Sequence, residues 1–99
     1  MQILRQGKWL YGGVKYLPVD IVSLDYDFWF SLAEEDDQLE PDERPKPLNK
    51  DGVLYYYRFV KAGDSRTPTW PDSGGYSDIA DAMRAAQKRA PSTIEWELN

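Results

Sequence analysis

Two adjacent glycines, Gly12 and Gly13, interrupt the run "KWLYGGVKY". The residues on either side are aromatic, β-branched or long, a composition that suits extended backbone. Positions free to take positive φ between two strand-like runs mark a tight primed turn. The chain is therefore expected to reverse on itself near its start as a β-hairpin with a two-residue turn. An isolated hairpin is barely stable in water, so later segments must pack on or beside it.

The second arm reads through Pro18 into "VDIVSLDYDFWF". At a period of two, Val22, Leu24, Tyr26, Phe28 and Phe30 share one face. Ile21, Ser23, Asp25, Asp27 and Trp29 fall on the other, a mixed and partly wet face. "SLAEEDDQLEP" follows, where Ser31 and Glu34 have the spacing of a capping box and Pro41 bars continuation. This predicts a short helix over about 32–39 with its acids in the favoured first turns. Beyond it Pro41, Pro45 and Pro47 favour an extended path, and "NKDG" suits a turn.

"VLYYYRFVK" is the clearest strand, with Val53, Tyr55, Tyr57 and Phe59 on one side and Leu54, Tyr56, Arg58 and Val60 on the other. Both sides look covered, which places it centrally in a sheet. "AGDSRTPTWPDSGGY" reads as a loop, and Ser77 or Asp78 can cap the helix "DIADAMRAAQKRA". Ile79, Ala82, Met83, Ala86 and Ala90 form its apolar stripe. Pro91 ends it, and "TIEWEL" alternates Ile94, Trp96 and Leu98 with Glu95 and Glu97 as a half-buried antiparallel strand.

The predicted order is β-β-(short helix, acidic loop)-β-α-β, an α+β fold. A small antiparallel sheet of about four strands carries one amphipathic helix on one face. Ninety-nine residues suffice for one domain, residues 1–99, that buries roughly 60% or more of its unfolded surface. An acidic, proline-rich insert occupies about 34–52.

The chain has neither Cys nor His, which excludes disulfides, thiolate chemistry and every nucleophile that relies on an imidazole base. The expectation is a non-enzymatic protein without cofactor or metal. "LNKDG" fails as a calcium loop, because Pro47 stands where the first acid belongs and Arg58 where the closing Glu would be. "DSGGY" lacks the lysine of a phosphate loop. No segment approaches the ~20 apolar residues of a membrane span, and the N-terminal stretch has no export signal, so a cytoplasmic home is expected.

Charge is distributed unevenly. Residues 1–33 hold three bases and three acids, and residues 53–99 hold six of each. Residues 34–52 hold eight acids and three bases and so supply the whole net charge of −5. The bland account is a connection kept soluble by charge. The sharper one is a contact with a basic surface on another protein, since long loops in small domains commonly carry function. Nucleic acid would be repelled directly.

On that reading Glu34, Glu35, Asp36, Asp37, Glu40, Asp42 and Glu43 meet the partner, with Trp29 and Trp70 as apolar anchors. Trp70 folded back as a lid on the core is the simpler account of that residue, and Tyr76 is a further candidate for the aromatic patch. By analogy of size and charge alone, the module would act as an inhibitor or immunity-type protein that masks a basic, nucleic-acid-binding surface.

Two alternatives stand beside it. One is a carboxylate-based enzyme or small-ligand binder using Asp25, Asp27 and nearby tyrosines. The other is a self-associating structural protein, a homodimer through the edge strand "TIEWEL". Tyr55, Tyr56 and Tyr57 are better explained by sheet packing than by base stacking, because neighbours fall on opposite faces. Arg84, Lys88 and Arg89, interleaved with acids, do not make a nucleic-acid footprint.

Overall fold

The computed structural model describes residues 1–61, 63, 64, 68 and 70–97. Strand β1 (Gln2–Tyr11) and strand β2 (Lys15–Leu24) form the hairpin. Gly12 and Gly13 take φ of 59° and 73°, the left-handed region that glycine enters without penalty. The ladder closes at Tyr11↔Lys15, so the loop holds Gly12, Gly13 and Val14 rather than the expected two residues. Val14 donates its backbone N–H to the Tyr11 carbonyl at 3.1 Å and leaves its side chain in solvent.

The sheet is antiparallel, in the order β3-β2-β1-β4, with β3 spanning Leu54–Phe59 and β4 spanning Glu95–Trp96. A bulge at Leu4 shifts the β1–β2 register between Ile3↔Val22 and Arg5↔Ile21. One extra residue reverses the facing of everything beyond it. Ile3 is thereby turned to the side of Val22 and Leu24 and packs there, while Trp9 packs on the opposite side of the sheet.

Helix α2 (Ile79–Arg89) covers that opposite side, capped by the Asp78 carboxylate, which accepts the Ala80 N–H. Ala82 and Ala86 are fully buried against Val19, Ile21, Tyr57 and Ile94. Small side chains on this stripe let the helix lie close to the sheet, as the spacing predicts. The other side buries Val22, Leu24, Leu54 and Tyr56, with Ile3 and Phe28 packed over them.

Three expectations are corrected. First, β2 stops at Leu24, and residues 25–30 do not continue it. Helix α1 (Phe28–Glu35) begins four residues before the predicted start, because Asp27 rather than Ser31 is its cap. The Asp27 carboxylate accepts the Phe30 N–H at 3.2 Å. Second, Asp25 and Asp27 therefore do not project together from one strand.

Third, β3 lies at the sheet edge, not in the centre. A loop closes its outer side: Tyr55 and Tyr76 exchange both backbone hydrogen bonds at 2.8 Å. The Ser73 hydroxyl accepts the Tyr57 N–H at 3.0 Å, and the Asp72 carboxylate accepts that of Phe59 at 2.7 Å. Every second N–H of the strand is satisfied this way, so an edge strand can be as apolar as a central one.

The opposite edge is closed too. Gly7 pairs with Trp96, and a side chain at Gly7 would meet the Trp96 ring at 2.8 Å and Ile94 at 2.9 Å. The Ser92 hydroxyl accepts the Leu10 N–H and donates to the Leu10 carbonyl, both at 3.0 Å, imitating one more strand residue. Leu98, expected to extend β4, lies outside the described residues.

Candidate functional site

Helix α1 lays the site along one stripe. Trp29, Ala33 and Asp36 follow at i, i+4 and i+7, the same helical face. At the start of the stripe Trp29 meets Trp70 and Phe28 in a three-ring corner. The Trp29–Trp70 centroids are 5.8 Å apart at 81°, Phe28–Trp29 5.1 Å at 83°, and Phe28–Trp70 5.1 Å at 78°. Each pair is edge-to-face, the arrangement the ring quadrupole favours. The Trp29 indole N–H donates to the Ser73 carbonyl at 2.7 Å and fixes the corner against the loop that closes β3.

Trp70 is nonetheless 51% exposed and Trp29 36% exposed. The corner is thus a surface feature, held by bonds on its inner side and open on its outer one. Trp70 packs on Phe28, which itself lies over the cluster of Val22, Leu24, Leu54 and Tyr56. Phe28, read from the sequence as lying on one face of an extended strand opposite Trp29, is the third ring of the corner. Tyr76 lies elsewhere, on the β3 edge, with the Lys46 ammonium 5.7 Å from its ring centre.

At the far end of the helix the acids gather, of which Asp36 lies on that stripe. Glu34 and Glu35 occupy the last turn of α1, Asp36 is its C-cap, and Asp37 follows with φ of 56°. The expected first-turn placement is reversed. A helix C-terminus carries partial negative charge, so carboxylates there are repelled rather than favoured. Last-turn bases that would offset them are absent from α1. Glu34, Glu35, Asp36, Asp37, Glu40, Asp42 and Glu43 are all exposed, and none makes an ion pair among the described residues.

The insert then returns to the body. Asp27 accepts the Lys46 backbone N–H at 2.8 Å, the Lys46 ammonium donates to the Gly75 carbonyl, and the Asn49 amide donates to the Ser77 carbonyl at 3.0 Å. Asn49 also accepts the N–H groups of Asp51 and Val53, making the turn that leads into β3. Residues 46–53 are therefore fastened down, and the segment that projects is 36–45, which holds five of the seven acids.

Asp25 and Asp27 border an open recess of about 410 Å³ with Glu34, Lys46 and Pro47. Both Asp27 oxygens already accept a backbone N–H, a structural use, and of the pair Asp25 is exposed and Asp27 half-buried. Among the described residues, no group of three or more acids is gathered as a metal would require, and no helix is long and apolar enough to cross a membrane. Comparison with known protein families, curated proteins and solved structures gives no match.

Proposed function

We propose that the protein is a non-enzymatic binding module whose projecting acidic segment meets a basic face of another protein. The observation that carries this reading is the placement of Glu34, Glu35 and Asp36 at the negative end of α1, exposed and without an ion pair among the described residues, with Asp36 on the same helical face as Trp29. A fold that tolerates an unfavourable charge arrangement commonly does so for function. The carboxylates would steer encounter and select the partner, while the aromatic corner supplies the desolvated contact that holds it. An inhibitor or immunity-type role, masking a surface that otherwise grips nucleic acid, follows from the same chemistry.

The test compares capture by the wild-type chain, by a variant with the seven acids of 34–43 changed to Gln or Asn, and by Trp70→Ala. Support requires a partner with a basic surface that binds wild type in a salt-sensitive way, loses that sensitivity with the neutralised variant and dissociates faster from Trp70→Ala. If the folded neutralised variant captures the same proteins with the same salt response, the acidic contact is refuted.

A further inference from the structure

The hairpin is longer than the strand and helix that cover it. β2 has ten residues and β3 six, with β3 ending at Phe59 opposite Val19. Past that point the described residues beside the α2-facing side of the hairpin include Val60, Lys61, the C-terminal end of α2 and Pro91. A cleft of about 300 Å³ opens there, walled by Trp9, Tyr11, Leu17 and Phe59 and bounded by Pro91. That volume lies at the small end of the range for ligand sites, about 300–1,000 Å³. The Trp9 ring stands edge-on to Phe59 at 6.1 Å and to Tyr11 at 5.8 Å.

Two cations stand at its mouth, Lys61 and Arg89. Arg89 makes no salt bridge among the described residues, although the nearby Asp72 carboxylate acts on it electrostatically. Among the described residues its guanidinium makes long contacts with neutral oxygens, the Tyr57 hydroxyl at 3.4 Å and the Asp72 carbonyl at 3.5 Å, and lies 5.9 Å from the Tyr57 ring centre. The fork geometry that suits a carboxylate is left unused. Asp72 also borders the cleft, but its carboxylate accepts the Phe59 N–H. In a chain of net charge −5, the lining of this apolar recess sets two cations, Lys61 and Arg89, against one carboxylate, Asp72.

We propose that the cleft under the hairpin binds a carboxylate borne on a single aromatic or branched apolar group, with that group against Trp9 and Phe59 and the carboxylate on Arg89 and Lys61. The group comes either from a free small acid or from the C-terminal residue of a peptide. The site is separate from the acidic segment and does not depend on it.

The full chain, labelled for amide and indole resonances, is titrated with N-acetylphenylalanine, with its uncharged amide, and with a short peptide ending in Phe as free acid or amide. The expected result is saturable shifts at Trp9, Phe59 and Arg89, with the acid forms about tenfold tighter than the amides, the effect of one charge-assisted contact. Arg89→Gln or Lys61→Gln abolishes that preference while the spectrum elsewhere is unchanged. Neutralising residues 34–43 leaves binding intact. Tighter binding of the peptide or of the free acid tells which source is used. No saturable shift with any probe, or equal binding of acid and amide, overturns the proposal.

Discussion

The Asp27 carboxylate holds the backbone of Lys46, accepting its N–H at 2.8 Å across nineteen positions of chain. The other oxygen of the same carboxylate accepts the Phe30 N–H and starts α1. One side chain thus sets both where the acidic segment leaves the body and where it comes back. The loop between is tethered at both ends, which limits how much freedom a partner must remove on binding.

Replacing Asp27 should therefore act on the fold and on the insert together. Asp27→Ala is expected to lower stability by about 1–2 kcal/mol, the upper part of the range for a lost helix cap. The denaturant midpoint would fall with little change in slope. Hydrogen exchange at the Lys46 amide would accelerate more than at Tyr57, whose N–H is bonded to Ser73. A variant with unaltered exchange at Lys46 would show that the tether does not operate in solution.

The position of Glu34 and Glu35 in the last turn of α1 makes an opposite forecast for the acids. Glu34→Gln and Glu35→Gln should raise stability, each by about 0.3 kcal/mol or more at low ionic strength, because they relieve repulsion from the helix end. The gain should fade in high salt. Thermal unfolding at two salt concentrations checks this, and a loss of stability on neutralisation would mean that the acids are structurally satisfied.

These relationships show which parts of the molecule were legible in the sequence. The hairpin, β3 and α2 announce themselves through local chemistry: Gly12 and Gly13 at a turn, a run of tyrosines, an alanine stripe behind Asp78. The start of α1 did not, since Asp27 and Ser31 are both good caps. The choice between them is made by Lys46 and by the Tyr56 hydroxyl, which accepts the Phe28 N–H, both remote in sequence.

Edge and centre could not be distinguished for β3 because loop atoms of Asp72, Ser73 and Tyr76 imitate a neighbouring strand. Of the candidate site, the acids and the two tryptophans were readable as residues. That Trp29 and Trp70 meet was not, since forty-one positions separate them and only the fold closes that distance.

On the side of the sheet away from α2, Asp20 and Arg58 face each other across β2 and β3, with charged atoms 3.5 Å apart and both side chains buried. Breaking a buried ion pair by removing one member typically costs about 3–5 kcal/mol, whereas replacing both with apolar groups of similar volume is often neutral. Asp20→Leu should thus be strongly destabilising and Asp20→Leu with Arg58→Met much less so. Chemical denaturation of the four members of the cycle measures this. Simple additivity of the single effects would show that the pair does not act as a unit.

Tyr56 offers a test at alkaline pH. Its hydroxyl lies in the core, accepts the Phe28 N–H at 3.0 Å and donates to the Tyr26 carbonyl at 3.2 Å. Burial, first among the causes, pushes its pKa above the ordinary value of 10.0. The unfolded chain therefore releases this proton at a lower pH than the folded one does. Stability from the neutral phenol is complete below pH 10.0 and drains away as pH rises toward the folded value. Tyr56→Phe removes both hydrogen bonds and leaves the Phe28 N–H without its acceptor, so at neutral pH it should be less stable by about 1–3 kcal/mol. Above pH 10.0 only the wild type has this proton to lose, and the gap between the two proteins should narrow. The remaining tyrosines are common to both and cancel in the difference. Urea unfolding of the pair from neutral to alkaline pH gives the answer, and a gap that stays constant or widens would mean that the hydroxyl reaches water.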